Sequence, residues 1–269
     1  MTFQSALVTG VSFILVSCCD ATDQSAVLAQ EMTNTRNSGV DGTPDNGRHP
    51  AIVALVLGNK GLCTGALIAP DAVLTARHCV SQTTEEIHCP AKTTQIIGEH
   101  KPESIAVLVG DKIGTAHEVA RGRQILTLPQ NDLCGNDIAV IRLNRSISAI
   151  KPVTIRMNAP VDTGQKIDLV GFGRRGEYAA VGEKYYRREI RVLDATYREF
   201  MTEESTCRGD SGGPALDSRT GSVVGVVSRG DPSCDRRQGL AIYTQTSAFP
   251  ELLRDITKTD GQSSAETTL

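Results

Sequence analysis

Short apolar runs recur along most of this chain, each interrupted by Gly, Pro, Asp or Asn before it reaches the length of a core helix. "AIVALVLG" (51–58), "GALIA" (65–69), "IAVLVG" (105–110), "IAVIRL" (138–143), "IDLVGFG" (167–173) and "SVVGVVS" (222–228) are the clearest. Their length, β-branching and turn-forming borders predict strands, and their number predicts an all-β sandwich or barrel. One segment keeps a helical period instead. Phe249, Leu252, Leu253 and Ile256 fall at i, i+3, i+4 and i+7, which predicts a C-terminal amphipathic helix capped by Ser247. Residues 20–38 and 258–269 are polar and aperiodic, as expected of a tether or propeptide and of a frayed tail.

Two segments invite other readings. "GFGRRG" (171–176) matches GxGxxG, but no amphipathic helix follows to aim its N-terminus at a pyrophosphate, so dinucleotide binding is set aside. The basic stretch from Arg174 to Arg191, with Arg175, Lys184, Arg187 and Arg188, is interleaved with glutamates and reads as a solvated loop.

The chain has 269 residues and a formal charge of −3, which gives no invitation to nucleic acid or an anionic membrane surface. With no Trp and only five Phe and five Tyr, aliphatic side chains must fill the interior. At the N-terminus "ALVTGVSFILV" (6–16) has signal-peptide length and ends in "LVSC" (15–18), similar to a bacterial lipobox with Cys18 as the lipidated residue. It lacks a basic n-region, since the first Lys or Arg is Arg36. Eight cysteines fit an oxidising compartment. Removing Cys18 and Cys19 with the leader leaves Cys63, Cys79, Cys89, Cys134, Cys207 and Cys234, an even set open to fifteen pairings. None of these six lies two to four residues from another and HExxH is absent, so no metal site is expected.

The chemistry gathers around "CRGDSGGPAL" (207–216), where Gly209, Gly212 and Gly213 surround Ser211. Such a segment predicts a tight turn that presents one hydroxyl beside bare N–H groups. A serine nucleophile needs a base, and the five histidines (His49, His78, His88, His100 and His117) all precede Ser211. That order excludes the α/β-hydrolase arrangement, in which histidine follows serine. The order His, Asp, Ser remains, supplied by "LTARHCV" (74–80) and "GNDIAVIRL" (135–143).

On these residues the chain resembles the trypsin/chymotrypsin-like serine proteases. "TARHC" is similar to their TAAHC segment, "NDIAVIRL" to DIALxxL, and "GDSGGP" is shared. "SRG" (228–230) resembles their SWG substrate strand, with Arg229 in place of the tryptophan. With the lipobox-like leader, the resemblance is to a bacterial exported member. It implies two six-stranded antiparallel β-barrels with the cleft between them and a C-terminal α-helix. It implies a protease domain at 39–257, which with the segments read above gives a signal peptide at 1–19, a tether or propeptide at 20–38 and a tail at 258–269.

The implied function is an exported serine endopeptidase acting on a protein or peptide substrate, without cofactor or metal; the competing class is a non-catalytic binding protein on the same scaffold. The implied catalytic residues are His78, Asp137 and Ser211, with Gly209 and Ser211 N–H groups as oxyanion hole. Ser205, Ser228 and Gly230 would line the substrate pocket, and the neutral Ser205 at its base implies cleavage after uncharged, apolar or aromatic residues. The wall opposite is Gly239 or Ala241, because "QGLAIYT" carries two extra residues. Asp210 would receive a new N-terminal amine on activation, Gly39 being the aligned first residue. Resemblance pairs Cys63 with Cys79 and Cys207 with Cys234, which leaves Cys89 and Cys134 for each other.

Overall fold

The computed structural model describes residues 42–58, 61–84, 89, 95–176, 179–204, 206–231, 234 and 239–257. The leader, Cys18, the 20–38 segment, Gly39 and the 258–269 tail lie outside them. Among the described residues, short turns separate fifteen strands. After β1 (Thr43–Pro44) come β2 (Ile52–Leu57), β3 (Leu62–Ala69) and β4 (Ala72–Thr75), then a small hairpin of β5 (Ser81–Thr83) and β6 (Ile96–Glu99). β7 (Ile105–Val109), β8 (His117–Thr127) and β9 (Ala139–Leu143) complete the first half. The second half holds β10 (Lys166–Gly171), β11 (Tyr185–Ala195), β12 (Glu199–Thr202), β13 (Pro214–Asp217), β14 (Val223–Gly230) and β15 (Ala241–Gln245). One helix among the described residues, α1 (Pro250–Thr257), follows.

The order β2-β3-β4-β9-β8-β7 closes an antiparallel barrel of six strands. The order β11-β10-β13-β14-β15-β12 closes a second through the β11–β12 pairing, and β1 adds to β11 with Thr43 opposite Tyr186. Closure leaves neither barrel a long open edge. The strand period of two explains why the apolar runs read as continuous. In β2 and β4, Val53, Leu55 and Val73 fill the first barrel, while Ile52, Ala72 and Leu74 point outward. Those outward residues join Ile138, Val140, Val170 and Val226 in a seam between the barrels, so both faces of the strand are buried. Ile167, Leu169, Ile190, Val192 and Tyr243 fill the second barrel.

The helix buries Phe249, Leu253 and Ile256 in that seam, each contributing about 1.5–3 kcal/mol by leaving water. Its expected cap is corrected. α1 starts at Pro250, whose fixed φ suits the first helical turn. Ser247 sits in the preceding 3-10 turn, its hydroxyl 3.4 Å from Gln245 Oε1.

The basic stretch is also corrected: it is not a solvated loop. Its second half is β11, and Lys184 and Arg187 are buried. Lys184 is only 2% exposed because its ammonium meets acceptors from two segments, 45–52 and Asp111. Nζ lies 3.1 Å from His49 O, 3.3 Å from Ile52 O, 3.1 Å from Asp111 Oδ1 and 3.5 Å from Asp45 Oδ2. Asp45 also accepts from the His49 backbone N–H at 3.0 Å and contacts the His49 ring nitrogen Nδ1. Burial pushes the Asp45 carboxyl up, but the His49 hydrogen bonds and the Lys184 charge outweigh it, leaving its pKa below the usual carboxylate range.

A depressed carboxyl contributes stability above its unfolded pKa and loses it as pH falls through the folded value. Lys184→Met, which leaves Asp45 buried without its cation, should therefore destabilise the fold by about 3–5 kcal/mol at neutral pH. Asp45→Asn should flatten the acid side of the stability profile below about pH 4. Urea unfolding with the disulfides intact, repeated from pH 3 to 7, measures both; a parental midpoint for Lys184→Met at pH 7 would remove this role from the cluster.

Candidate active site

Three chain segments far apart in sequence converge where the barrels meet. β4 ends at Thr75, and Arg77–Cys79 form a 3-10 turn that lifts His78 out of the first barrel. The Cys63–Cys79 disulfide holds this turn to β3. Asp137 stands just before β9, the neighbour of β4 in the sheet, so the register Thr75 opposite Ala139 carries it beneath His78. The His78 backbone N–H donates to Asp137 Oδ1 at 2.9 Å, and Nδ1 lies 2.8 Å from Asp137 Oδ2. From the second barrel, Ser228 donates its hydroxyl to the same Oδ2 at 2.6 Å.

These contacts set the charges. Burial pushes the Asp137 carboxyl up, but His78 and Ser228 pull it further down, so the net pKa is lowered and it stays ionised. For His78, burial favours the neutral ring, yet the Asp137 charge and hydrogen bond prevail and raise the pKa. The carboxylate thus holds the imidazole with Nδ1–H toward itself and leaves Nε2 as the ring nitrogen it does not bind.

Ser211 arrives on the loop between the Cys207 bridge and β13. Thr64 N–H donates to Ser211 O at 2.9 Å, Gly212 N–H to Val227 O at 2.9 Å, and Gly213 N–H to Asp210 O at 2.8 Å. Cys79 Sγ lies 3.6 Å from Ser211 O and 3.8 Å from His78 Nε2, so one disulfide packs against both residues. Gly209 has φ +104°, and a Cβ there would stand 2.9 Å from Gly173 Cα, so glycine is required twice over. Among the described residues neither the Gly209 nor the Ser211 N–H meets a protein acceptor.

Asp210 points away from this turn. Its oxygens accept the Gly173 N–H at 3.0 Å and the Cys207 N–H at 3.1 Å. A Cβ on Gly173 would lie 2.4 Å from the carboxylate, which accounts for a glycine of the "GFGRRG" segment without any nucleotide. Burial pushes the Asp210 carboxyl up, and Arg187 with the two N–H groups only partly offsets this.

The two bridges implied by resemblance, Cys63–Cys79 and Cys207–Cys234, are formed, and so is Cys89–Cys134, the pair left by elimination. Gly230 ends β14 opposite Ala241, while Ser205 lies outside the described residues. Among the described residues, Cys63, His78 and Cys79 bring side-chain atoms of ligand type within 4.8 Å of one another. The two sulfurs are bonded to each other and offer no thiolate.

Two further residues of the site gave no signal in the sequence. Thr64 Oγ1 donates to Gly209 O at 2.7 Å and accepts from Phe172 N–H at 3.1 Å, fixing the Gly209 peptide. Glu199 accepts the Gly135 N–H at 3.0 Å, two residues before Asp137. Partners 64 and 145 positions away leave no local pattern to read.

Residues 39–253 match the family model described as Trypsin. A protein C activator of Agkistrodon contortrix contortrix is 27% identical over 224 residues, covering 76% of this chain and 89% of its own. Serine protease SP24D of Anopheles gambiae is 27% identical over 241 residues, covering 83% of this chain and 82% of its own. Among solved structures, neuropsin, a serine protease expressed in the limbic system of mouse brain, superposes with a TM-score of 0.60. At 21% identity over 78% of this chain and 95% of its own, that likeness is one of fold.

The His78–Asp137 contact makes a prediction independent of any turnover. The His78 imidazole should titrate above the ordinary 6.5. Asp137→Asn removes the charge and leaves burial to act alone, so the midpoint should fall by about one to three pH units. NMR titration of the ring protons reads this directly, and an unchanged midpoint would show that the carboxylate does not control the imidazole.

Proposed function

The chain belongs to the trypsin family, and from that premise we propose that it is an exported serine endopeptidase with Ser211 as nucleophile, His78 as general base and Asp137 as the group that orients it. The observation that carries the reading is the His78 Nδ1–Asp137 Oδ2 contact of 2.8 Å, at a site where the Cys79 sulfur packs against both His78 and the Ser211 backbone. The scheme is the one worked out for this family. Ser211 Oγ attacks the scissile carbonyl carbon while Nε2 takes its proton, and the carbonyl electron pair moves onto oxygen. That oxyanion faces the Gly209 and Ser211 N–H groups. Collapse breaks the C–N bond, and the leaving amine takes the proton from Nε2. Water, deprotonated by the same nitrogen, then attacks the acyl-enzyme to release the acid and restore Ser211.

Cleavage after uncharged, apolar or aromatic residues is the specificity we favour. The two acids that precede Ser205 in the sequence are ion-paired, Glu204 with Arg187 at 3.0 Å and Glu203 with Arg191 at 3.3 Å. A substrate guanidinium would lose water without gaining either of these carboxylates unpaired. The β14–β15 register, with Gly230 opposite Ala241, supports Ala241 over Gly239 as the facing wall.

The three disulfides support export to an oxidising compartment. The bacterial origin and a lipid on Cys18 rest on the leader sequence alone. Activation by a new amine at Gly39 is supported by Asp210, whose buried carboxyl is held above its ordinary pKa and would be drawn down by an added cation. Intact mass and N-terminal sequencing test both. A lipid adduct is expected on a form starting at Cys18, and full activity of that unprocessed form would rule out activation through Gly39.

Fluorophosphonate should label the parent at Ser211 and not Ser211→Ala. The variant should keep its fold and no more than about 10³–10⁴-fold acceleration over water. An unlabelled, inert parent would instead indicate the non-catalytic binding protein. In paired amide substrates, kcat/KM should be at least about tenfold higher for Phe than for Arg; the reverse order would mean that an acid does reach the substrate cation.

A further inference from the structure

Arg229 occupies the position where the SWG strand carries an aromatic residue, and its guanidinium is turned to an unexpected use. Nη1 lies 2.7 Å from Glu199 Oε1 and Nη2 lies 3.1 Å from Oε2, a bidentate pair in which the side chains are 24% and 21% exposed. The same Nη1 reaches Ser228 Oγ at 3.3 Å. Glu199 in turn accepts the Gly135 N–H at 3.0 Å on the loop that leads to Asp137. The strands explain how these groups meet. β12 and β14 flank β15, with Glu199 opposite Thr244 and Arg229 opposite Ile242, and the β14 register shifts between Val227 and Arg229. Consecutive strand residues normally face opposite ways; an irregularity at Ser228 lets both it and Arg229 serve one network.

We propose that Arg229 and Glu199 act as a positioning pair for the His78–Asp137 couple, working through Ser228 and Gly135. A serine hydroxyl has one proton, and a guanidinium can only donate. With Arg229 donating to Ser228 Oγ, the Ser228 proton is left for Asp137 Oδ2, 2.6 Å away. Oδ2 then receives two donors, Ser228 and His78 Nδ1, and the imidazole is held with Nε2 free for the serine. Glu199 fixes the other end by gripping Gly135. The pair thus ties the Asp137 loop of the first barrel to the substrate strand of the second.

Among the described residues, the other charges near the couple bond neither Ser228 nor the Asp137 carboxylate. Arg77 bonds Glu99 Oε1 at 3.1 Å and the carbonyls of Leu128 and Gln130. Asp132 accepts from Asn136 Nδ2 at 2.9 Å, Arg198 contacts Asn136 Oδ1 and Gly135 O, and Asp210 faces Gly173 and Cys207. Arg229 and Glu199 are the ion pair that touches Ser228 itself.

The inference rests on the protease reading for its kinetic arm only. NMR titration of the His78 ring should move in opposite directions in two variants: up in Arg229→Met, which leaves the Glu199 charge, and down in Glu199→Gln, which leaves the guanidinium. On the preferred peptide substrate, kcat should fall about tenfold in Arg229→Met, the worth of one hydrogen bond to a charged group. Arg229→Lys, which can still donate to both partners, should recover part of the rate and the parental midpoint. Circular dichroism checks that each variant is folded, and Arg229→Lys serves if the others are not: a Lys variant with the Met-type titration and rate overturns the proposal. Unmoved His78 midpoints in both charge variants, with only KM rising, would likewise overturn it and leave Arg229 as a groove wall. A parent that neither hydrolyses peptides nor takes fluorophosphonate defeats the protease reading, while opposite shifts of the titration would still uphold the pair.

Discussion

The buried carboxylate of Asp137 is the constraint on which this structure turns. It is wholly excluded from solvent, and removing such a charge from water costs several kcal/mol unless donors surround it. The His78 N–H, His78 Nδ1 and the Ser228 hydroxyl supply those donors, two from the first barrel and one from the second. Each must be delivered to within a fraction of an ångström, and much of the surrounding architecture serves that delivery. Gln95 Oε1 accepts the Leu133 N–H at 2.8 Å, Cys89–Cys134 clamps the same loop, and Glu199 holds Gly135. A carboxylate bridging the barrels in this way makes their relative position part of its own solvation.

Similar logic governs the other buried charges. Lys184 gathers two carboxylates and two backbone carbonyls, and Arg187 pairs with Glu204. Both come from one polar stretch of sequence, and each joins segments that are distant along the chain. The aliphatic core provides adhesion without direction, whereas these charged contacts specify which surfaces meet. In a chain without tryptophan, aromatic packing is local: Phe200 and Tyr243 stack with ring centroids 4.9 Å apart inside the second barrel.

The proposed chemistry and the proposed positioning pair draw on the same feature, a strand that presents Ser228 toward Asp137 and Arg229 toward Glu199. Replacing an aromatic groove wall with a paired guanidinium exchanges apolar contact area for electrostatic coupling. A substrate lying along this strand would then touch a group that is one hydrogen bond from Ser228 and two from Asp137. Binding and proton transfer would share a physical link here.

The strands that pack on both faces were legible in the sequence, because burial on two sides demands runs dominated by Val, Ile, Leu and Ala, as at 52–57, 139–143 and 223–227, where Arg142 is the one charged residue and Gly225 the one glycine. So was the amphipathic helix, and motif resemblance pointed to two barrels, two of the three bridges and the residues His78, Asp137 and Ser211. These features are local in sequence or carried by short motifs. Tertiary structure decided what depends on partners far along the chain. β8 escaped recognition because His117, Glu118, Arg123 and Gln124 break up its apolar residues and stay exposed, and β11 because its arginines are paired with Glu204, Asp168 and Glu203 from elsewhere in the chain. Lys184 looked solvated because Asp45 and Asp111 lie 139 and 73 positions away. The helix start moved to Pro250 because the 3-10 turn before it claims Ser247. Likewise Thr64, Glu199 and Arg229 acquired roles only when folding brought their donors and acceptors together. A side chain's charge is written in the sequence, but whether water or a carboxylate solvates it is settled by the fold.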